Sequence, residues 1–433
     1  MKYCKRCLYP SNHPLNITFD EHGVCSGCRI HEEKDILDWE ERKEKLKRIF
    51  DEYRSRTRHA YDCIIPVSGA RDSYFIVYIV KNLFKMHPLL VTYNKHYNTK
   101  MGIRNLAYLQ AIFGCDVISC TVSPERVKRI TRESLRQRGS MYWHCLAGST
   151  VFPVQSAVKL KIPLIVWGVH QGCDQVGMFS HLDEVEMTRK YRKEHDLMGL
   201  EAEDLICNSN ELTMDDMKQY IYPHDKELES VGVRGIYLSN YIRWDSKAQH
   251  ELMIKKFGYE TMYQQRTFDT YNDVDCFHYS GVHDYVKFLK WGYGKVTDHA
   301  SREIRLRRMT REEGIDMVMK YQDVYPNDLP LFLNWIGMGE NEFREYIDNH
   351  RNPDIWRKDH AGKWELKDSV VNHVDDESVN DVRLKKNEKC EFILTLPKDP
   401  YAIEDDHVLL GRACTDVGHL PEVIEKYPSC PSE

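Results

Sequence analysis

Short apolar runs alternate with helical patterns through residues 61–167. Four of these runs have the length of a strand, at positions 63–67, 89–93, 117–121 and 163–167. Apolar residues recur at helical spacing in the intervals, over 73–86, 100–113, 124–138 and 150–160. Strands that alternate with helices predict a parallel sheet with right-handed crossovers, and unbroken hydrophobicity predicts a sheet covered on both faces. We therefore expect an α/β core built on a parallel sheet.

The composition of the flanking segments divides the rest of the chain into further units. A cysteine-rich segment, 1–33, precedes a highly charged amphipathic helix within 34–60. The α/β core is assigned to 61–245, and a mostly helical, polar region to 246–375. Residues 376–433 carry five prolines among acidic pairs, and their pattern predicts no fold.

Charge and composition argue against several classes of protein, namely nucleic-acid-binding, membrane-spanning and secreted proteins. The 433 residues include 61 Lys and Arg against 67 Asp and Glu. The net charge of −6 argues against nucleic-acid binding by bulk charge, although a local basic patch stays open. No apolar run approaches the ~20 residues of a membrane span, and no signal-peptide pattern follows Met1. We expect a cytoplasmic protein without a membrane partner, whose cysteines are thiols or metal ligands rather than disulfides.

Four cysteines near the N-terminus have the spacing of a structural zinc site. Cys4 and Cys7 form one CxxC pair, and Cys25 and Cys28 form a second pair after 17 residues. Two such pairs can place their thiolates around one tetrahedral Zn²⁺, which leaves no open position for catalysis. Scattered reduced thiols are the alternative. A redox CxxC is disfavoured because neither pair follows a strand and opens a helix.

The turn after the first predicted strand has the composition of an anion-binding loop. It reads Ser-Gly-Ala-Arg-Asp-Ser over 68–73 and leads directly into a helical pattern. At the carboxyl end of a parallel strand, backbone N–H groups at a helix N-terminus attract phosphate, and two hydroxyls and Arg71 add to this attraction. Neither a Walker motif nor a GxGxxG motif occurs in the chain. The alternative is an ordinary Ser-Gly turn that caps a helix.

The same loop resembles the SGGxDS signature of the PP-loop ATP pyrophosphatases. These enzymes have the adenine nucleotide alpha-hydrolase-like fold and cleave ATP to AMP and pyrophosphate. The resemblance implies ATP and Mg²⁺ as cofactors and catalytic roles for Arg71, Asp72 and Ser73. It also implies nucleotide contacts from Pro66, Val67, Ser68, Gly69, Ala70, Arg71, Asp72, Ser73, Thr92, Tyr93 and Asn94.

One residue of the loop departs from that signature. Ala70 replaces the second glycine, and its Cβ is expected to crowd the phosphates or to oppose a positive φ. On this reasoning, Ala70→Gly would strengthen ATP binding.

A polar loop follows the strand predicted at 163–167. It contains Gly168, His170 and Asp174, and PP-loop enzymes commonly carry a similar Gly-x-His segment with a nearby Asp beside the nucleotide. The resemblance implies nucleotide contacts from Gly168 and His170 and a catalytic role for Asp174. A simple polar loop is the alternative.

A wider resemblance covers most of residues 1–374. The CxxC pairs are followed by the segments YDCIIPVSGARDS, IPLIVWG, GMFSHLDEVEMTRKYRKEHDLMG, YIRWDSK and VTDHASREIRLRRMTREEG. Together they are similar to the N-acetyl sugar amidotransferases of flagellin glycosylation and lipopolysaccharide O-antigen biosynthesis, most of all to the branch associated with pseudaminic and related nonulosonic acids. The resemblance implies that ATP activates an acetamido group of such an acid, or of a nucleotide sugar, as an O-adenylyl imidate. Ammonia then gives an acetamidino group, and AMP and pyrophosphate are released.

No glutaminase signature accompanies these motifs. Residue 2 is Lys rather than the N-terminal Cys of one glutaminase class, and no cysteine outside the predicted zinc ligands stands in a Gly-x-Cys-x-Gly elbow. Ammonia is therefore expected to arrive free or from another chain. The resemblance implies partners like the glutaminase and cyclase subunits of imidazole glycerol phosphate synthase, and homo-oligomer formation stays open.

Two basic segments are candidates for substrate contacts. His181 precedes a helix predicted over 183–196, in which Arg189 and Arg192 share a basic face that could bind a sugar carboxylate or a nucleotide phosphate. A second predicted helix carries His299, Arg302 and Arg305. In both segments, a solvated surface helix is the alternative.

A last candidate residue and two other functions complete the predictions. His144, placed in a loop before the helix over 150–160, is a candidate acid–base group, with a core or rim histidine as the alternative.

A tRNA sulfurtransferase also joins a PP-loop to zinc knuckles, but it needs catalytic cysteines and a basic nucleic-acid surface. An inactive nucleotide-binding scaffold, in which Ala70 marks a lost active site, is the third function that stays open.

Overall fold

Five parallel strands form the central sheet of the computed structural model, which describes residues 1–55, 57, 60–379 and 390–395. The strands are β1 Cys63–Pro66, β2 Pro88–Tyr93, β3 Val117–Cys120, β4 Leu164–Trp167 and β5 Arg234–Tyr237. Every neighbouring pair is parallel, so the α/β class predicted from the alternating pattern is confirmed. Strand β5 was not predicted, because its short run begins with Arg234 and Gly235.

The order of the strands reverses at β1, in the centre of the sheet. The full order is β3-β2-β1-β4-β5, so β2 and β3 extend the sheet on one side and β4 and β5 on the other. In open parallel sheets, ligands bind beyond the carboxyl ends of the two strands that flank such a reversal. The loops that follow β1 and β4 therefore face one crevice.

Helices of the first half of the chain pack around this sheet. They are α1 Ser26–Glu33, α2 Trp39–Tyr53, α3 Ser73–Val77, α4 Lys100–Phe113, α5 Pro124–Arg138, α6 Trp143–Leu160 and α7 Gln171–Asp174, with a π-helical turn at Tyr78–Leu83 after α3. Two predicted helices, over 100–113 and 124–138, have the observed bounds. The loop predicted around His144 is wrong, because α6 begins at Trp143 and places this histidine inside a helix.

Shorter elements replace the helix predicted over 183–196. A 3₁₀ turn at His181–Asp183 is followed by a non-helical stretch, by α8 Arg189–Tyr191 and by a π-helical turn at Arg192–Asp196. Within the stretch, Met187 N donates to Gly235 O at 2.8 Å, so the backbone lies beside β5. A charge pattern cannot reveal this pairing, and the continuous basic face predicted for this segment is therefore absent from the described structure.

Short helices lead to β5, and longer helices follow it. Before β5 lie α9 Ala202–Cys207, α10 Met214–Met217 and α11 Asp225–Val231. After β5 lie α12 Ser246–Phe257, α13 Asp284–Trp291, α14 Lys295–Arg305, α15 Arg311–Tyr321, α16 Leu329–Ile336 and α17 Glu340–Asp348, then the antiparallel strands β6 Trp356–Lys358 and β7 Trp364–Leu366. Within the ranges described above, none of these helices has both the length and the apolar character required to cross a bilayer.

The cysteine-rich segment packs against both α14 and the loop after α7. The Tyr9 hydroxyl donates to Asp298 Oδ1 at 2.8 Å, and the Ser26 hydroxyl donates to Val176 O at 2.9 Å. A C-terminal stretch, 390–395, is attached through Leu394 N, which donates to Thr270 Oγ1 at 3.0 Å. Most of the segment 376–433, for which the sequence predicts no fold, lies outside the described residues.

Candidate functional site

Two adjoining chambers occupy the crevice beyond β1 and β4. The large chamber has a volume of about 300 Å³ and the small chamber about 120 Å³. Their linings share Arg71, Asp72, Val169, Gln171, Asp273 and Tyr279, so the loop after β1 forms part of the wall between them. Of the predicted nucleotide contacts, the large chamber is also lined by Pro66, Val67, Ser68, Ser73, Tyr93 and Gly168.

Two serine hydroxyls close the loop over 68–73. Ser68 N donates to Ser73 Oγ at 2.9 Å, and the Ser73 hydroxyl donates in turn to Ala70 O at 3.1 Å. Ala70 N donates to Ser68 Oγ at 3.3 Å. The Ser73 hydroxyl therefore holds the loop in shape, in addition to lining the large chamber.

The glycine of this loop is required by the close approach of α4. A Cβ on Gly69 would lie 1.8 Å from the carbonyl oxygen of Gly102, far inside van der Waals contact. Ala70, in contrast, has no positive φ, is 1% exposed and packs in the hydrophobic core between the sheet and the helices. Ala70 lines neither chamber, so the geometry gives no support to the expected crowding of phosphates.

The positive φ of the loop belongs to Arg71, which has φ 51°. This conformation aims its guanidinium at two groups across the crevice. Nε donates to Asp273 Oδ1 at 2.5 Å and Nη2 to the Tyr279 hydroxyl at 2.5 Å. The side chain is still 44% exposed, so one face of the cation is open to an anionic ligand.

Asp72 contributes a half-buried carboxylate, one oxygen of which is buried without a hydrogen-bond donor among the described residues. Its Oδ1 has no partner among the described residues, and burial raises the pKa of the carboxyl group. The residue lines both chambers. A desolvated carboxylate oxygen that lacks a donor suits a divalent cation such as Mg²⁺, which prefers oxygen ligands.

The loop after β4 divides its predicted residues between the crevice and the interior. Gly168 lines the large chamber, whereas His170 is fully buried, with its ring centroid 4.2 Å from that of Tyr191. Burial lowers the pKa of His170 to about 4, so the ring is neutral near pH 7. Asp174 lines the small chamber and forms an ion pair with Lys34. Burial opposes its ionisation, but Lys34 holds its pKa at about 2.

The predicted substrate contacts separate into two groups. Arg192 lines the large chamber, whereas Arg189 and His181 line neither chamber. Arg189 pairs with Glu201 at 2.7 Å, and His181 is buried. His299, Arg302 and Arg305 all line the small chamber.

Three predicted residues near β2 and α6 line neither chamber. Thr92 is buried, Asn94 accepts from His96 N at 3.0 Å, and neither residue lines a chamber. His144 is also fully buried, 3.1 Å from the Tyr93 hydroxyl. Burial lowers the pKa of His144 to about 3. A neutral, enclosed imidazole supports Tyr93 and has no path to a ligand in this structure.

Several residues of the crevice were missed by the sequence analysis. Lys95 lines the large chamber, and its Nζ lies 2.7 Å from Asp275 Oδ2. Burial disfavours the charge of Lys95, but Asp275 raises its pKa above the ordinary value. Its position just after β2 was a usable signal. Asp273 and Tyr279 also line both chambers. They lie on irregular and π-helical backbone, so the pattern of apolar strands gave no signal for them.

The four predicted zinc ligands converge on one buried point. The Sγ atoms of Cys4, Cys7, Cys25 and Cys28 all lie within 4.8 Å of one another. Cys7 Sγ is 3.5 Å from Cys25 Sγ, and Cys4 Sγ is 4.0 Å from Cys28 Sγ. Tetrahedral zinc with Zn–S bonds of ~2.3 Å requires sulfur separations of about 3.8 Å, so the residues fit the ion. The cluster could therefore hold a metal such as zinc.

Arg305 links this cluster to the crevice. Its Nη2 lies 3.6 Å from Cys25 Sγ and 3.9 Å from Cys7 Sγ. Its Nη1 donates to Gln175 O at 2.6 Å. A guanidinium beside four sulfurs is the expected partner for the negative charge of a metal–thiolate centre.

Comparison with known proteins gives a family match for one segment of the chain that contributes to the site. Residues 265–370 match a protein family that is described as "LPS biosynthesis protein WbpG-like, C-terminal domain". This match supports a role in sugar or lipopolysaccharide biosynthesis. The matched segment includes α14, and with it the His299, Arg302 and Arg305 side chains of the small chamber.

A second similarity is shorter. Over 105 residues, 24% of this chain, the sequence is 27% identical to the uncharacterized protein MJ1599 of Methanocaldococcus jannaschii. The aligned part spans 36% of that relative, so it carries no conclusion about the activity of the whole protein.

Proposed function

We propose that the protein is an ATP-dependent amidotransferase that converts an acetamido group of a bacterial surface sugar to an acetamidino group. The observation that carries the proposal is the loop over 68–73, which lies where the strand order reverses and lines both chambers. The match of residues 265–370 to an LPS biosynthesis domain favours a sugar as the second substrate. The resemblance of the loop to PP-loop enzymes favours ATP as the first.

Charged residues in the large chamber suit a nucleotide. Arg71 and Lys95 are only partly buried, and each pairs with one carboxylate, so both would also neutralise phosphate charge. Asp72 would hold Mg²⁺, which would supply further positive charge beside the phosphates. Ser68 and Ser73 keep the loop in the conformation that presents these groups.

Aromatic and cationic groups make the same chamber suitable for an acidic sugar. Tyr93, Tyr142 and Tyr237 form part of its wall, and Arg192 provides a guanidinium there. Such a mixture of flat apolar surfaces with a few placed polar groups is typical of small-molecule sites. Arg192 is buried and pairs with Glu201 at 3.3 Å, and from the chamber wall it would add positive charge for the carboxylate of a nonulosonic acid.

The proposed reaction needs no covalent protein nucleophile. The acetamido oxygen attacks the α-phosphorus of ATP, pyrophosphate leaves, and a neutral O-adenylyl imidate forms as the amide N–H proton is released to solvent. Ammonia adds at the imidate carbon, and the C–O bond breaks to release AMP and the amidine. The protein aligns the reactants and balances the charge of the phosphates. Ammonia is supplied by a separate glutaminase, delivered by a partner pair of the glutaminase and cyclase type.

An oxygen-18 label tests this reaction directly. The protein is incubated with ATP, Mg²⁺, ammonium and pseudaminic or legionaminic acids labelled with ¹⁸O in the acetamido group. We expect mass spectrometry to show exchange of the acetamido oxygen for NH and transfer of the label to AMP. Asp72→Asn should abolish both products, whereas Asp359→Asn, in the turn between β6 and β7 and outside both chamber linings, should retain them.

Other outcomes would distinguish the alternatives. Release of AMP with tRNA and a sulfur donor, but not with any sugar, would identify a sulfurtransferase. Burial raises the pKa of the Cys145 thiol, the cysteine that lines the large chamber, which is the opposite of what a nucleophilic thiol requires. ATP binding without AMP release under all conditions would identify a scaffold.

A further inference from the structure

A histidine and a carboxylate form a pair in the wall of the small chamber. Asp269 Oδ2 lies 3.0 Å from His299 Nδ1, and Thr267 Oγ1 lies 2.7 Å from the same nitrogen. Asp269 is fully buried and also accepts from Asn272 Nδ2 at 2.8 Å and from Arg302 Nη2 at 3.2 Å. Burial opposes ionisation of Asp269, but His299 and Arg302 hold its pKa below the ordinary value. The negative charge of the ionised Asp269 carboxylate beside Nδ1 favours the tautomer with the imidazole proton on Nδ1, where the Thr267 hydroxyl oxygen accepts it at 2.7 Å.

The other ring nitrogen is left available to a ligand. Nε2 of His299 has no hydrogen-bond partner in the part of the chain that the structure describes, and the side chain lines the small chamber. In that tautomer, the uncharged form of the ring presents a lone pair at Nε2. This is the arrangement by which a buried carboxylate orients a histidine as a proton acceptor.

The size and charge of the small chamber indicate which reactant meets this histidine. Its volume of about 120 Å³ is less than half the volume of about 300 Å³ of the large chamber. The lining of the small chamber contains four cationic side chains and four carboxylates, so their formal charges cancel. The chamber therefore has no excess of positive charge that would attract a polyanion. A small, uncharged reactant such as ammonia suits it better than a phosphate group. The shared residues Arg71 and Asp72 bring it against the loop predicted to hold ATP.

We infer that His299, oriented by Asp269, is the catalytic base for the addition of ammonia, an inference that rests on the proposed function. The lone pair of ammonia forms the new C–N bond, and Nε2 accepts one proton from the attacking nitrogen. The C–O bond to AMP then breaks, with its electron pair left on the AMP oxygen. Nε2 returns the proton to the product, which leaves as an amidinium ion, so the base is regenerated.

The test separates activation of the sugar from its amination. Activation is measured without ammonium, as sugar-dependent exchange of labelled pyrophosphate into ATP. Amination is measured as amidine formation with ammonium. For His299→Asn we expect exchange to persist and amidine formation to fall by about 100-fold or more, the usual contribution of a general base. His360→Asn, at an exposed position, serves as the matched histidine control and should retain both activities.

Replacing ammonia with another nucleophile gives a rate comparison that would not change if the role of His299 were purely structural. Hydroxylamine is less basic than ammonia, so its adduct loses a proton more readily and needs the base less. The rate of His299→Asn relative to the unchanged protein should therefore recover with hydroxylamine. Asp269→Asn should show the same pattern in weaker form, because it disturbs only the orientation of the ring.

Three results would overturn the inference. Amidine formation by His299→Asn at the rate of the unchanged protein would show that no base is needed at this position. Loss of pyrophosphate exchange in both His299→Asn and His299→Gln would assign the histidine to activation or to folding. Absence of sugar-dependent exchange in the unchanged protein would overturn the proposed function itself, and this inference with it.

Discussion

Replacement of Ala70 by glycine tests the geometry of the loop after β1. The resemblance to SGGxDS suggests that glycine here would improve ATP binding. In the structure, however, Ala70 has no positive φ, and its methyl group is buried in the core rather than turned to either chamber. We therefore expect Ala70→Gly to destabilise the protein without any gain in ATP affinity.

The size of the effect follows from two terms. Burial of one methyl group contributes about 0.8 kcal/mol, which the glycine variant loses. Glycine also gains conformational freedom in the unfolded chain, which costs a further ~0.4–1 kcal/mol at a position that Ala accepts without strain. The free energy of unfolding should fall by about 1–2 kcal/mol in total.

Gly69→Ala is the matched change at the neighbouring position. Its new Cβ would meet the backbone of Gly102 at 1.8 Å, so either the loop or the first turn of α4 must move. We expect a larger loss of stability than for Ala70→Gly, together with loss of ATP binding.

Urea unfolding followed by tryptophan fluorescence and calorimetric titration with ATP measure the two quantities. Binding of ATP by Ala70→Gly that is about fivefold tighter, a gain of ~1 kcal/mol, would refute the reasoning. It would mean that the methyl group does oppose the phosphates.

Further predictions concern the metal, the loop over 68–73 and the dependence of stability on pH in acid. Freshly purified protein should contain one zinc per chain, and Cys7→Ser should lose it and lower the melting temperature, because structural zinc contributes folding free energy. Asp72→Ala and Ser73→Ala should both abolish pyrophosphate release, the first by removing a Mg²⁺ ligand and the second by opening the loop. Asp174→Asn should remove a stabilising contribution that is present above the ordinary aspartate pKa of 3.8 and is lost as pH falls to about 2.

Each of these predictions has a clear contrary result. Metal analysis without zinc would leave the four sulfurs as ordinary thiols. Near-normal AMP formation by both loop variants would place the phosphate site elsewhere. For Asp174→Asn, melting temperatures measured from neutral pH to pH 2 should converge with those of the unchanged protein in acid. A difference that is independent of pH would show that packing, rather than the charge pair with Lys34, is responsible.

The parallel sheet could be predicted because its strands are continuous apolar runs separated by helical patterns. The helices over 100–113 and 124–138 begin after Thr99 and Ser123 and end at glycines, and such signals are local. The non-helical stretch beside β5 could not be predicted, because the bond between Met187 and Gly235 joins residues far apart in sequence. Charge periodicity alone favoured a helix there.

The site shows the same division between local and distant information. Ser68, Arg71 and Asp72 were predicted because they stand together at the end of one strand. The partners Asp273 and Tyr279 reach the crevice from a segment about 200 residues away, which only tertiary packing brings close. His144 was misplaced for a related reason: its burial depends on Tyr93 and on the start of α6, and neither is visible in the residues around it.

Arg305 connects the cluster of four cysteines to the crevice. Its Nη2 lies 3.6 Å from Cys25 Sγ, while its Nη1 donates to Gln175 O, directly after the short helix that ends at Asp174. A Cβ on Gly27 would lie 2.3 Å from this guanidinium, so the glycine permits the approach. Because thiolates around a metal attract the cation, the filled cluster would hold Arg305 in place, and Arg305 would hold the loop after β4. The cysteine unit is thus expected to shape the small chamber without supplying any reacting group.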